Sequence, residues 1–449
     1  MHKGNNKAHV AIIGGGLAGL AAAAGLAEKG IQTTIFEAAL QLGGRARSVN
    51  IEFNSQIVKV DNGQHIMLGA YRETLKLLAK IGVPENMAFM RLPLALDIIS
   101  PKGASVFKFT TPKFLPFPIN QLIGFLFCHG LSFADRLHVI KLIITLKRNN
   151  YQITSDMPLR HYLDKQKQSS KVVELLWEPL CLAALNTPLH LASTRVFLNV
   201  LNDTFNQNKS SSEFLLARLD LSRIFAEPIA RYLTKHKANV LLNQRVRSVK
   251  LAEHGYSVVT KTGQHEFSHV IMATSPARFK RLVAELPDLA TVGEQTENYE
   301  FQPIYTVYLQ YSSKTTLAKP MAALTDSYSQ WVFDRGILCG QKGLMAVVIS
   351  AVGKHQQLTH EALALKIAQE LHHAFPNLVK PLWHKVIAEK RATFSCKVNL
   401  PRPANLTSYP NLLIAGDYTY ADYPSTIEGA VRSGIQCAEH IISSQMQSR

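Results

Sequence analysis

The run Val10-Ala-Ile-Ile-Gly14-Gly15-Gly16-Leu17-Ala18-Gly19-Leu20 sets glycines at the spacing G-x-G-x-x-G. Glycines so spaced handle phosphate. Gly14 permits a tight turn, Gly16 lets a pyrophosphate approach the backbone, and Gly19 allows a helix to pack closely on the preceding strand. The first turn of that helix offers N–H groups and a positive dipole end to the anion. A carboxylate is then needed about 20 residues on, to take the ribose hydroxyls. Glu37 closes a second strand-like run, Ile31-Gln-Thr-Thr-Ile-Phe-Glu37. Strand, glycine turn, helix, strand and acid fall in the order a dinucleotide-binding βαβ unit requires. A glycine turn inside some other α/β sheet is the competing reading.

Further runs bear on which dinucleotide. Gly43-Gly44-Arg45 follows Glu37, and Asp61-Asn62-Gly63-Gln64-His65 lies beyond it; near the far end stand Gly416-Asp417 and Ser425-Thr426-Ile427-Glu428-Gly429-Ala430. Together these resemble the flavin-dependent amine oxidase and phytoene desaturase superfamily. The resemblance implies FAD rather than NAD. It also implies the α/β fold of a GR2-type flavoprotein, a Rossmann-like FAD-binding domain with an inserted, discontinuous α+β substrate-binding domain. In that family the Gly-Gly-Arg run lies along the cofactor phosphates and flavin, the late Gly-Asp meets the ribityl chain, and the following helix points its N-terminus at the flavin. Carried over by position, cofactor contacts fall on Gly14, Gly16, Leu17, Ala18, Gly19, Glu37, Ala38, Gly43, Gly44, Arg45, Gly63, Gln64, His65, Val246, Gly416, Asp417, Ser425, Thr426, Ile427 and Ala430.

A flavin brings its own reactive atom, so the protein need only position substrate and exclude water. The sequence accordingly carries no H-E-x-x-H, no G-x-S-x-G and no metal-ligand spacing. Within the superfamily, the stretches Asp61 to Tyr71, Trp177 to Pro188 and Ala415 to Ser425 are similar to the hydroxysqualene dehydroxylases, along essentially the whole chain. That resemblance implies reductive loss of an allylic hydroxyl in bacterial squalene and hopanoid synthesis: reduced FAD delivers hydride, water departs, and squalene forms. An allylic cation needs a dry, carbon-lined pocket, which the phenylalanine-rich stretch 114–127 is suited to wall, and its leaving hydroxide needs a proton. The candidate donors are His65 and Glu178, with Tyr423 behind them. Each has a plainer role open to it: His65 as a backbone hydrogen-bond partner, Glu178 as a cap or ion pair before Pro179. Arg45 reads as a cofactor contact rather than a catalyst. Two other readings stay open, a carotenoid-type desaturase oxidising a C–C bond and a non-enzymatic lipid-escort protein of the same fold. The intact Gly416-Asp417 counts against the second.

The elements that must position these residues come from both ends of the chain. Residues 8–90, 214–279 and 404–449 are assigned to the FAD-binding domain, and 91–213 with 280–403 to the substrate-binding domain. Tyr71 to Gly82 reads as an amphipathic helix with a glycine stop, and Leu94 to Phe109 as a hairpin turning at Pro101-Lys-Gly103. Leu159 to Phe205 reads as helical, with a kink or break at Glu178-Pro179. Residues 239–250, 256–261 and 264–267 read as short antiparallel strands, and His269 to Pro276 as a buried strand. Further strands are expected at 306–311, 331–334 and 344–350, and a helix from Glu361 to Phe375.

The chain has 449 residues, 47% hydrophobic and 18% charged, with a formal net charge of +17. That composition suits a large globular core. The positive balance favours an anionic partner. No nucleic-acid-binding signature accompanies it, so a membrane surface is the expected partner and nucleic acid is not. The stretch 113–148 joins a phenylalanine-rich, proline-punctuated run to the basic residues Lys113, Arg136, Lys141, Lys147 and Arg148. It reads either as a self-packing cap or as a patch that contacts membrane. No run of about 20 apolar residues is present to span a bilayer. Five scattered cysteines without C-x-x-C pairs and a start without a secretory apolar region point to reduced thiols and a cytoplasmic enzyme, peripheral at the inner face of the cell membrane. A lipophilic isoprenoid substrate and neighbouring squalene-pathway enzymes complete the expected partners.

Overall fold

The computed structural model describes residues 8–53, 55–112, 114–420 and 423–447; Lys113, Asp422 and residues 1–7, all used in the sequence reading, lie outside them. A five-stranded sheet runs in the order Asn239–Leu241, Gln32–Phe36, His9–Ile13, His269–Met272, Leu412–Ile414. Every neighbouring pair in it is parallel. Its central strand is buried from both sides: Ala11 and Ile13 belong to one hydrophobic cluster, Val10 and Ile12 to another. An unbroken apolar run such as Val10 to Ile13 is what a doubly covered parallel strand requires.

Helix Leu17–Glu28 lies against the last helix, Ile427–Gln447. Small residues let the two approach: a Cβ added at Gly434 would fall 2.1 Å from the Ala18 carbonyl oxygen, and one at Gly25 3.0 Å from Ala438 Cβ. Gly19 is equally confined, since its Cβ would sit 2.1 Å from the Gly14 oxygen. The first and last helices thereby meet beside the glycine turn.

The second large sheet has seven strands in the order Trp383–Phe394, Phe301–Gln310, Leu344–Ser350, Trp331–Asp334, Met321–Leu324, Ala95–Ile99, Ser105–Thr110. It therefore joins the hairpin near residue 100 to strands two hundred residues later. Ile66–Leu68, Phe214–Ala217 and Phe89–Leu92 form a separate small antiparallel sheet. All five cysteines are free thiols.

One feature differs from the sequence reading. Asn239–Leu241 is not part of the antiparallel excursion: it pairs in parallel with Gln32–Phe36 at the edge of the nucleotide sheet. Asn243, at φ 55°, then turns the chain out toward the separate strand Ser248–Ala252. The irregularity expected at Glu178-Pro179 takes the form of a change in helical winding and not of a break. A π-turn, Val173–Trp177, runs directly into helix Glu178–Leu185 with the proline in its first turn. Widening the preceding turn accommodates a residue that lacks an N–H and would crowd the carbonyl four residues back. Ser222–Ala226 repeats the device before Glu227-Pro228.

Candidate functional site

The glycine turn is built as the spacing demands. Gly14 has φ 117°, and a Cβ there would strike the Ala273 oxygen at 2.3 Å. Helix Leu17–Glu28 begins at Gly16 with no side-chain cap and no acid in its first turn. Its N-terminal end is thus left uncompensated by protein. Gly16 itself has room: the only atom a Cβ there would meet is Gly44 Cα, 4.0 Å away. Gly43 donates its N–H to the Gly15 oxygen at 2.8 Å, so the Gly43-Gly44-Arg45 run lies directly beside the glycine turn. Leu17 and Ala18 occupy the first helical turn.

Glu37 emerges at the end of its strand. Its carboxylate accepts from Gly15 N and from Ala39 N, each at 2.7 Å. The backbone of residues 241–244 is bonded to Glu37 and Ala39, which brings the buried Val246 loop alongside Ala38. An uncapped helix end, an open glycine cradle and a carboxylate one strand away fit the adenosine diphosphate half of a dinucleotide cofactor.

The other half of the cluster comes from the late motif. Arg45 donates to the Asp417 carboxylate at 2.7 Å and to the Ala392 oxygen at 2.5 Å. Ser425 also donates to Asp417. Gly416 N donates to Ser433 Oγ at 3.0 Å, and Thr426 Oγ1 accepts from Gly429 N at 3.0 Å. Ile427 and Ala430 sit in the first turn of the last helix, whose start is therefore capped by Thr426. Asn62 N donates to the Arg47 oxygen at 2.8 Å, tying the Asp61–His65 turn to the Gly-Gly-Arg run. Within that turn a Cβ on Gly63 would meet Thr306 Oγ1 at 3.7 Å, and Thr306 Oγ1 is a buried hydroxyl with no partner among the described residues.

The Asp61–His65 turn rests on a buried charge pair that sequence reasoning missed. Asp61 and Arg335 are 1% and 3% exposed. Arg335 NH1 donates to Asp61 Oδ2 at 3.2 Å and to Gln64 Oε1 at 2.6 Å, and Arg335 Nε to Gln341 Oε1 at 2.6 Å. Leu221 N donates to Asp61 Oδ1 at 2.7 Å, and Tyr308 OH to the Asp61 carbonyl at 2.8 Å. Burial raises the Asp61 carboxyl above its usual range, and Arg335 draws it back. No local signal marks Arg335, which stands 274 positions from Asp61. Gln64, an expected cofactor contact, gives its side-chain oxygen to Arg335.

His65 is half-buried, and burial holds its imidazole below the usual range. Its Nδ1 lies 2.6 Å from the Gly63 carbonyl. A carbonyl only accepts, so Nδ1 carries the proton and Nε2 is a lone-pair acceptor in the neutral ring. Protonation at Nε2 is required before His65 can give up a proton there. Glu178 is elsewhere. It stands exposed on helix Glu178–Leu185, its carboxyl raised by partial desolvation and then by Glu174, with Arg160 and His190 opposing. None of its described contacts is with His65. Tyr423 is buried under the Arg432 guanidinium, 4.8 Å from its ring centre, and burial raises its phenol far above the ordinary value. The same guanidinium donates to Glu428 Oε1 at 2.8 Å. Glu428, fully buried, in turn caps helix Arg72–Lys80 through Glu73 N and Thr74 N.

The family described as flavin containing amine oxidoreductase matches residues 17–442. Similar curated proteins include a hydroxysqualene dehydroxylase of Zymomonas mobilis, 26% identical, covering 96% of this chain and 98% of the relative. Another, from Rhodopseudomonas palustris, is 27% identical over 97% and 98%. A zeta-carotene desaturase of Synechocystis is 22% identical over 97% of both chains. Among solved structures, putrescine oxidase bound to putrescine superposes with a TM-score of 0.71 at 16% identity, covering 97% of this chain and 99% of the other; this likeness is one of fold.

Proposed function

Since this chain belongs to the flavin-containing amine oxidoreductase family and is an FAD-dependent oxidoreductase, we propose that it removes the hydroxyl group of hydroxysqualene reductively to give squalene. The observation that carries the reading is end-to-end similarity to proteins bearing the hydroxysqualene dehydroxylase name. In the balanced reaction the allylic C–O bond breaks, a hydride takes the carbon, and the hydroxyl leaves with one proton as water. The flavin, when bound, supplies that hydride.

The chain's own residues would do the rest. Gly14, Gly16, Gly19 and the first turn at Leu17 would hold the pyrophosphate, Glu37 the ribose, and Arg45, Asp417 and Ser425 the middle of the cofactor. Residues 8–90, 214–279 and 404–449 form the cofactor domain in this reading, and the remainder presents the substrate. Support comes from the sheets, which draw their strands from those two sets of segments. Protonated at Nε2, His65 would give its proton to the leaving hydroxyl while Gly63 fixes the ring. Arg335 and Asp61 would hold the turn from beneath.

Relatives named zeta-carotene and phytoene desaturase support a second reading, oxidation of a C–C bond in a polyene precursor. Product analysis separates the two. Anaerobically reduced holoenzyme should convert hydroxysqualene to squalene, and oxidised holoenzyme should leave phytoene unchanged. A desaturated polyene from oxidised enzyme, with hydroxysqualene untouched by reduced enzyme, reverses the assignment.

A further inference from the structure

Helix Ile119–Leu126 buries two polar side chains alongside Phe125 and leaves apolar ones exposed at its two ends. Asn120 and Gln121 are buried, and neither Asn120 Oδ1 nor Gln121 Nε2 finds a hydrogen-bond partner among the described residues. Ile119 is meanwhile 49% exposed, and Phe127, which ends the helix, is 75% exposed. Packing enforces this orientation. A Cβ on Gly124 would lie 2.7 Å from the Thr110 oxygen, so the Gly124 face sits directly on strand Ser105–Thr110. Phe125 stacks on Phe109 with ring centres 4.3 Å apart. Asn120 and Gln121 are carried inward with Phe125 on that face, while Ile119 and Phe127 are left outside.

The next helix, Phe133–Arg148, continues the surface. It starts on a Ser132–Asp135 capping box, and Arg136 binds it to its neighbour through the Leu126 and Leu131 carbonyls, both at 3.1 Å. Its buried side is Val139, Leu142 and Leu146. The exposed stripe is not the polar one a solvent-facing helix requires: Phe133, Leu137 and Ile144 are interleaved with Lys141 and Arg148. Residues 98–155 contain seven Lys and Arg against a single acid, Asp135. Among the described residues, no helix is long and apolar enough to cross a membrane.

We propose that the joined outer faces of helices Ile119–Leu126 and Phe133–Arg148 dock on an anionic phospholipid surface. Phe127, Phe133, Leu137 and Ile144 enter the acyl boundary, while Lys141 and Arg148 meet headgroup phosphates. Charge complementarity selects this occupant over a second copy of the chain, because two copies of so basic a face repel. The inference does not depend on the reaction proposed above.

Flotation of the FAD-loaded protein tests it. The wild type should rise with vesicles of phosphatidylglycerol and phosphatidylcholine, and should remain behind with phosphatidylcholine alone. Each basic side chain near an anionic surface is worth about fivefold in partitioning, so K141E/R148E should lower binding at least ~30-fold. F127S/F133S should also lose flotation; all four positions are solvent-exposed, and unchanged flavin absorbance verifies the fold. Undiminished binding by either variant, or equal binding to neutral vesicles, overturns the proposal. So does a wild-type dimer that F127S/F133S converts to monomer, which would make the face a subunit interface. A protein that fails to float but still makes squalene removes the docking face and leaves the chemistry standing.

Discussion

Arg335→Met isolates what the buried pair beneath the His65 turn contributes. Wild-type Asp61 is almost fully buried and accepts from Leu221 N and from Arg335. Methionine keeps much of the side-chain volume but leaves the carboxylate with one donor. Removing one member of a buried ion pair costs roughly 3–5 kcal/mol, because the remaining charge is uncompensated. At about 2.1 cal/mol/K per residue, a chain of 449 residues unfolds with an entropy of roughly 0.9 kcal/mol/K, so Tm should fall by about 3–5 °C. The loss should depend on pH in a defined sense. Burial already raises Asp61, and losing Arg335 raises it further. When a carboxyl's folded pKa lies above its unfolded value, the unfolded state releases its proton first as pH rises. Measured against wild type, the penalty is therefore absent below the raised folded value of wild-type Asp61, grows between it and the still higher folded value of the variant, and is complete above that. Thermal unfolding of the holoprotein, followed by flavin fluorescence across pH, should show the largest Tm gap between variant and wild type at neutral pH. The gap should narrow on acidification, and Asp61→Asn added to Arg335→Met should recover most of it. A gap that is constant with pH and not relieved by the second substitution would refute the orphaned-carboxylate account.

Three further outcomes follow from the same geometry. Glu37→Ala removes the carboxylate on Gly15 and Ala39 as well as the ribose partner, so FAD affinity measured by ultrafiltration should drop by at least ~10-fold; full flavin content at unchanged affinity would count against that role. His65→Gln should slow turnover by ~10²–10⁴-fold at equal flavin occupancy, whereas Glu178→Gln should stay within about twofold, as its exposed position off the cofactor cluster predicts. If His65 must be protonated to act, wild-type kcat should decline as pH rises through the lowered imidazole pKa, and a kcat that climbs over that range would rule the donor role out.

The cofactor cradle was legible because its requirements are local. Gly14, Gly16, Gly19 and Glu37 lie within 24 residues, and their spacing follows from backbone geometry. The later Gly416-Asp417 could be joined to them only through family resemblance, since nothing in the intervening chain announces that helices Leu17–Glu28 and Ile427–Gln447 pack together. Asn239–Leu241 was misplaced because three residues, Asn-Val-Leu, carry too little pattern to tell the edge of a parallel sheet from a hairpin. Arg335 was invisible: it is one of 49 basic residues, and its meaning comes only from a contact across 274 positions. Helix Ile119–Leu126, with Asn120 and Gln121 buried, is a subtler case. Its amphipathic pattern is readable, but the buried face is decided by Gly124 against Thr110, a contact no periodicity encodes.

The central claim, reductive removal of a hydroxyl by this flavoenzyme, is tested most directly by a single turnover in D2O. Anaerobically reduced holoenzyme is mixed with hydroxysqualene, flavin reoxidation is followed by absorbance, and the extracted hydrocarbon is analysed by mass spectrometry and NMR. The account predicts one squalene for each flavin reoxidised, carrying one deuterium at the carbon that lost oxygen, and no squalene from oxidised enzyme. Squalene formed without flavin reoxidation, or flavin reoxidised with the hydroxyl still in place, would contradict it.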